Sequence, residues 1–199
     1  VYFRSLMYFG VLFFCIFAVI VLNLAFNFAW ITALYILIGF ASVLLPSLFA
    51  AITIRILPKK WFNPDRKIYN VGDKERQFLL KIGIKKWKDK IPEMGQTVNF
   101  KKDKLQDANN PEYIQKFLVE TCYAESLHIS CAVLAVIFAF VSLLFMPNIY
   151  FWTVSLPVAC VYTIYNIPSI LIQRYNRPRL KVQLKHLTKN NNSANIAKV

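Results

Sequence analysis

The sequence predicts an all-α membrane protein: four transmembrane helices in two hairpins, with a helical, basic cytoplasmic segment between them. Three observations carry this prediction. No charged residue occurs from Ser5 to Ile54, and from Ser126 to Gln173 there is none apart from the titratable His128. Each of these stretches is too long for one span and right for two, because a transmembrane helix takes about 20 apolar residues. Finally, 57% of the residues are hydrophobic and only 17% are charged, whereas soluble chains average about 45–50% apolar and about 25% charged.

Residues 1–57 form the first predicted hairpin, with spans at Leu6–Asn23 and Ile31–Ile54 and a turn holding Asn23, Asn27 and Trp30. A signal peptide has one short apolar core and a small-residue cleavage site. This N-terminus runs directly into a second span, so both spans are expected to stay in the mature protein. The chain begins at Val1 rather than Met, so a short N-terminal piece is expected to be missing from it. Residues 127–173 form the second hairpin, with spans at Leu127–Met146 and Ile149–Gln173 and a turn at Pro147 and Asn148. Backbone polar groups in lipid must be satisfied within the segment, so all four spans are expected to be helices. Pro46, Pro157 and Pro168 lie inside spans and are expected to kink them.

Basic residues set the orientation. Neither short turn is charged, while Arg4 and Arg55 flank the first hairpin on one side. The segment from Pro58 to Glu125 carries 15 Lys/Arg and all 10 acidic residues, and the tail at 174–199 carries 7 Lys/Arg and no acid. The positive-inside rule therefore predicts a multi-pass protein of the cell membrane with both termini and the central segment in the cytoplasm. The end of the tail, Asn190–Val199, is predicted to be disordered.

The central segment, residues 58–126, reads as ordered. Asp73 is expected to cap a helix reaching about Ile91, with Leu80, Ile84, Trp87 and Ile91 on one apolar face and Lys81, Lys85, Lys86, Lys88 and Lys90 opposite. That pattern fits a helix lying on an anionic membrane surface and equally an amphipathic helix packed on protein. A second helix is predicted from Asn110 as N-cap, Pro111 at the first helical position and Glu112 in the first turn. Nothing breaks it before the third span, so it is expected to continue into lipid. Pro92–Asn109 reads as a polar loop. The four cysteines (Cys15, Cys122, Cys131 and Cys160) contain no C-x-x-C pair and read as small apolar side chains.

Two constellations are candidates for chemistry. In the segment Glu120–His128, Glu125 and His128 are three residues apart and share a helix face. Glu120 lies about 140° round from Glu125 and about 80° from His128 at about 100° per residue. Ionisable groups where a helix enters lipid are costly unless paired or functional. A carboxylate beside an imidazole orients it as a general base for an alcohol. The same spacing also serves a plain structural pair at a helix junction. It can likewise supply metal ligands; helical di-metal sites need a second such motif and this sequence has none, so no metal is assigned, and a metal-dependent membrane hydrolase or lipid-modifying enzyme using Glu120, Glu125 and His128 stays a further alternative. The second constellation is Gln173–Leu180, with Arg174, Asn176, Arg177 and Arg179 just after the fourth span. Arginine forks suit phosphate or carboxylate, although basic residues also flank cytoplasmic span ends generally. The formal charge of +14 does not point to nucleic acid, because the basic groups hug the membrane and no recognition module is present.

Several stretches resemble the glycosyl-4,4'-diaponeurosporenoate acyltransferases, enzymes of the last step in staphyloxanthin-type carotenoid synthesis. These are Arg55-Ile-Leu-Pro-Lys-Lys-Trp-Phe62, Ile84-Lys-Lys-Trp-Lys-Asp-Lys-Ile91, Glu120–His128, and Asn166-Ile-Pro168 followed by Gln173-Arg-Tyr-Asn-Arg-Pro-Arg-Leu180. The resemblance runs from about Leu57 to Leu184. The full first hairpin departs from the family's shorter N-terminal region. Cys122 and Tyr123 also stand where the family has a basic residue after the Glu-Thr pair.

The resemblance implies transfer of a fatty acyl group to a sugar hydroxyl of a membrane glycolipid or glycosylated carotenoid. Carried over by position, the site comprises Glu120, Glu125, His128, Arg174, Asn176, Arg177 and Arg179, with Trp87 and Lys88 nearby. In this reading His128 is the general base, Glu125 orients it, and the arginines bind the phosphates of an acyl donor, acyl-CoA or a phospholipid. No resident cofactor is expected. The partners are membrane lipids, the acyl donor and a lipid-linked glycoside. A non-enzymatic alternative is a small membrane subunit whose basic cytoplasmic face docks a partner or anionic lipid.

Overall fold

The structure is a computed structural model that describes residues 30–91 and 107–196, with the backbone alone for 190–196. Among the described residues it is all-helical, and three helices are long and apolar enough to cross a membrane. The predicted first span, Leu6–Asn23, its turn, Arg4, Cys15 and most of the predicted loop at 92–109 lie outside the described residues.

Helix α1, Trp30–Ile56, contains Pro46 and corresponds to the second predicted span. Two short 3-10 turns follow, at Lys59–Phe62 and Lys67–Tyr69. Helix α2 covers Asp73–Lys81 and α3 covers Ile84–Trp87, with a 3-10 turn at Lys88–Lys90. The expected single helix to Ile91 is therefore broken. Gly83 adopts φ 68°, ψ 31°, the left-handed conformation that ends helices and that glycine takes without steric cost. Asp73 sits in the first turn of α2 instead of capping it, and Gly72 is the N-cap residue. Because the helix stops, Leu79 and Ile84 are buried while Leu80 is exposed.

Helix α4, Pro111–Val141, begins as the sequence predicts. The Asn110 side-chain oxygen accepts from the backbone N–H groups of Glu112 at 2.9 Å and Tyr113 at 3.3 Å, which satisfies two of the donors that a helix start leaves open. The helix then continues without interruption into its apolar half. At 31 residues it is about 46 Å long, against about 30 Å of hydrocarbon. A 3-10 turn at Ser142–Leu144 precedes α5, Asn148–Tyr150, and a π-helical stretch at Phe151–Ser155. Helix α6 then covers Leu156–Ile196. It passes through the region predicted to be disordered from Asn190. Pro168 and Pro178 lie inside it, and neither can donate to the carbonyl four residues back.

The chain divides into two units, 1–48 with 132–163 and 49–131 with 164–199. Small side chains hold the first. Val43, Ala135, Ala139 and Ala159 are fully buried together, the packing by which membrane helices approach closely without a hydrophobic driving force between them. The Ser142 hydroxyl donates to the Ala139 carbonyl at 2.6 Å and lies 3.0 Å from the Ser155 hydroxyl, while Tyr150 donates to Thr32 at 3.0 Å. Larger residues such as Leu37, Leu45, Val133, Phe140 and Val161 point outward. The second unit has three apolar clusters, around Phe62 and Tyr123, around Ile114 and Leu180, and around Leu79, Ile84 and Tyr175. The last of these packs the α2–α3 segment on α6, so the apolar residues Leu79 and Ile84 face protein.

In the first unit Gly39 allows a close approach: a Cβ there would stand 2.8 Å from Val154 Cγ1 and 3.1 Å from Ser155 Oγ. Gly39→Leu is expected to destabilise by about 1–3 kcal/mol, the usual cost of overpacking, read as a lower thermal midpoint of the detergent-purified protein. Gly72→Ala, with open space at its Cβ position, is expected to leave that midpoint almost unchanged.

Candidate functional site

All the candidate residues belong to the second unit. Along α4, Thr121 and Glu125 are four apart and share a face. Along α6, Arg174 and Arg177 are three apart and do the same. These two faces meet in a buried ionic network. Glu125 is 1% exposed and accepts from Arg174 Nη1 at 2.6 Å and Arg177 Nη2 at 2.5 Å.

Arg177 is also 1% exposed, and four of its five N–H donors are engaged. Its Nε donates to the Thr121 hydroxyl at 3.1 Å, Nη1 to the Tyr69 carbonyl at 2.8 Å, and Nη2 to the Thr121 carbonyl at 3.1 Å as well as to Glu125. The Thr121 hydroxyl in turn donates to the Leu118 carbonyl at 2.6 Å. The guanidinium stands 5.1 Å from the centre of the Tyr69 ring, within cation–π range. Arg174 reaches outward from Glu125 to Glu75 on α2, which takes Nε and Nη2, and to the carbonyls of Asn70 at 3.0 Å and Ile68 at 3.3 Å. Two carboxylates thus balance two guanidiniums.

This arrangement corrects two expectations. Spacing along α4 suggested that Glu125 orients His128, yet both Glu125 oxygens are taken by guanidiniums, which offer charge and paired donors that an imidazole does not. His128 instead places Nδ1 2.8 Å from Asn166 Oδ1 on α6. An amide oxygen only accepts, so Nδ1 donates, and in the neutral ring Nε2 then holds the lone pair. Arg174 and Arg177, expected to hold donor phosphates, are instead engaged with protein acceptors.

The other predicted residues are dispersed. Glu120 pairs with Arg55 at 2.9 and 3.1 Å, and Arg55 lies 5.1 Å from the centre of the Tyr123 ring. Arg179 is exposed, 5.4 Å from the centre of the Tyr175 ring. Asn176, next to Tyr175 in sequence, is half-buried. The Trp87 indole donates to the Ile82 carbonyl at 3.1 Å and packs on the Leu79–Ile84–Tyr175 cluster. Lys88 pairs with Asp89 at 2.6 Å. Glu120, Glu125 and His128 are thus directed to different partners: Arg55, the Arg174–Arg177 pair, and Asn166.

Sequence reasoning missed Glu75, Thr121 and Tyr69, and named Asn166 only within the Asn166-Ile-Pro168 stretch at an expected kink. Glu75 carried one faint signal, as an acid in the first turn of a lysine-rich helix. Its partner is 99 residues away, a pairing that no local spacing reveals. The Tyr69 hydroxyl lies 2.8 Å from the Ser126 hydroxyl, and burial raises the Tyr69 phenol above its ordinary value. Both residues line a cavity of about 370 Å³ whose other walls include Ile54, Leu57, Phe62 and Ile68, with Arg66 and Lys67 also at its edge.

Removing one partner of a buried ion pair leaves the other uncompensated, at about 3–5 kcal/mol. Arg177→Ala and Glu125→Gln are each expected to lower stability by that amount, seen as a fall in the thermal midpoint in detergent. The double variant is expected to lose less than the sum of the two. Lys74→Ala, on an exposed helix position, is expected to stay within about 0.5 kcal/mol of the parent.

Comparison with known proteins bears on what this clamp supports. Searches of curated proteins and of solved structures returned no match. The family model for glycosyl-4,4'-diaponeurosporenoate acyltransferase matches residues 58–186, from the first 3-10 turn through the ionic network and most of α6. That is well over half of the sequence, and the chain belongs to the glycosyl-4,4'-diaponeurosporenoate acyltransferase family.

Proposed function

We propose that this protein is a membrane O-acyltransferase that moves a fatty acyl group onto a hydroxyl, a sugar hydroxyl in the family reading, of a lipid-linked glycoside. The supporting observation is the His128–Asn166 pair. With Nδ1–H held by the amide oxygen, Nε2 faces its task as a neutral base. It takes the proton of the acceptor hydroxyl as that oxygen attacks the acyl carbonyl. The donor leaves as a thiolate or alkoxide and receives the proton from the imidazolium, so the enzyme returns to its starting state. Asn166 fills the orienting role that an asparagine fills in some nucleophile–histidine systems.

The ionic network serves this chemistry indirectly. It fixes α4 against α6 one turn from His128, so Glu125, Arg174 and Arg177 are positioning residues. Glu120 with Arg55 ties α1 to α4 in the same unit. Arg179 keeps its guanidinium toward solvent and suits a donor phosphate. The cavity of about 370 Å³ falls within the range of small-molecule sites, and its apolar walls suit an acyl chain. Trp87 and Lys88 act through packing and ion pairing and stay outside the chemistry. No resident cofactor takes part in this scheme.

The topology completes the reading. The excess of Lys and Arg at 58–125 and 174–199 supports a reading in which the termini and the site face the cytoplasm. A hydroxyl on a membrane-embedded glycoside and a donor from the cytoplasmic side then meet at this boundary.

A general base contributes about 10²–10⁴-fold to rate. Cells expressing His128→Ala are therefore expected to lose the acylated glycolipid from their membranes, measured by mass spectrometry at equal protein level. Asn166→Ala is expected to lower it less, because the imidazole survives without its orientation. An unchanged glycolipid profile in His128→Ala overturns the mechanism and favours the docking-subunit alternative.

A further inference from the structure

A second, smaller cavity lies in the same unit, where α2 and α3 pack on α6. Its volume is about 160 Å³, below the range of about 300–1,000 Å³ that encloses whole small-molecule ligands, so it suits a head group better than a complete molecule. Its lining includes Arg76, Lys85 and Arg179, joined by Arg174, and contains no carboxylate. Arg174 is already balanced by Glu75 and Glu125. Among the described residues the other three have no acidic partner, so three uncompensated cations converge on one small space. Arg179 is further held over the Tyr175 ring, which reduces the freedom it loses on gripping a ligand.

We infer that this cavity binds a phosphate group carried on an amphiphile. Like charges brought together repel, and an anion relieves that repulsion while offering oxygens to guanidinium forks in paired geometry. A phosphate fits the charge better than a single carboxylate does, because three cations face it. Leu80, Tyr175 and Pro178 in the same lining offer apolar contact to the carbon framework beside the phosphate. The inference rests on the acyltransferase reading for the ligand's role: the phosphate is that of the acyl donor. Coenzyme A and an anionic phospholipid both present a phosphate, and the test separates them.

The full chain in neutral detergent is titrated calorimetrically with coenzyme A and, separately, with a short-chain phosphatidylglycerol. One of these is expected to bind, and the affinity is expected to fall as salt is raised, since exposed charges are screened. The Arg76→Gln/Lys85→Gln pair is expected to weaken that binding by about tenfold or more, given the strength of charge-assisted hydrogen bonds. Lys59→Gln/Lys60→Gln makes the same charge change outside the cavity and is expected to bind like the parent. Arg179→Gln gives an independent reading if the first pair lowers the thermal midpoint. Binding carried by coenzyme A identifies a thioester donor, and binding carried by phosphatidylglycerol identifies a lipid donor. The inference is overturned if neither probe binds the parent, or if the cavity variants bind as the control pair does. His128→Ala is expected to bind normally. Intact binding with no acyl transfer by the parent protein therefore retires the enzyme reading while the cavity stands.

Discussion

The buried carboxylate of Glu125 is the constraint around which the second unit is organised. A charge removed from water costs several kcal/mol unless its partners replace the lost hydration. Glu125 meets that demand with two guanidiniums, and each of those must then satisfy its own remaining donors. Arg177 does so with Thr121 and the Tyr69 carbonyl, and Arg174 does so with Glu75 and the carbonyls of Ile68 and Asn70. Satisfying one buried acid thus draws in four segments: α4, α6, the turn ending at Tyr69 and Asn70, and α2. None of them can shift far without stranding a charge, so the network specifies an arrangement more than it adds stability.

That arrangement bears directly on the candidate base. His128 follows Glu125 by three residues, about 4.5 Å along α4, and Asn166 precedes Arg174 by eight, about 12 Å along α6. Both members of the pair therefore ride on the two helices that the ionic network clamps. A change in rotation or register of α4 against α6 moves His128 away from Asn166. The arginines matter here through geometry. Their side chains are turned inward and engaged, while Arg179, two positions beyond Arg177, faces outward.

Hydropathy made the three described spans legible, because twenty apolar residues without a charge leave few alternatives in water or lipid. The start of α4 was equally plain, since Asn110, Pro111 and Glu112 each satisfy a local requirement of a helix N-terminus. What the sequence could not carry was the choice among partners. Local spacing offered Glu125 a histidine one turn away, but the fold offered two arginines from residues 49 and 52 positions distant. A carboxylate goes to paired cationic donors over a neutral ring. Gly83 is a different kind of miss. Its signal was present as the only glycine between Asp73 and Ile91, and the apolar periodicity across it was given more weight than its conformational freedom. That error also shifted the buried position from Leu79 to Leu80.

The two units solve the same problem in opposite ways. The first joins its helices through alanines, valine and short hydroxyl bonds, which suits an environment where an unpaired charge has no water to turn to. The second uses ion pairs, aromatic stacking and backbone carbonyls, and its cavities are edged by Arg66, Lys67, Arg76 and Lys85. Under the proposed function, joining an acyl donor to a hydroxyl on a lipid-linked glycoside would need both chemistries in reach of one base. Apolar walls must take hydrocarbon, and fixed cations must take the polar end. The second unit has both, and the family match at 58–186 falls mostly on that unit. Under the proposed function the acyl-transfer chemistry belongs to the second unit, where charged and apolar side chains line the same cavities.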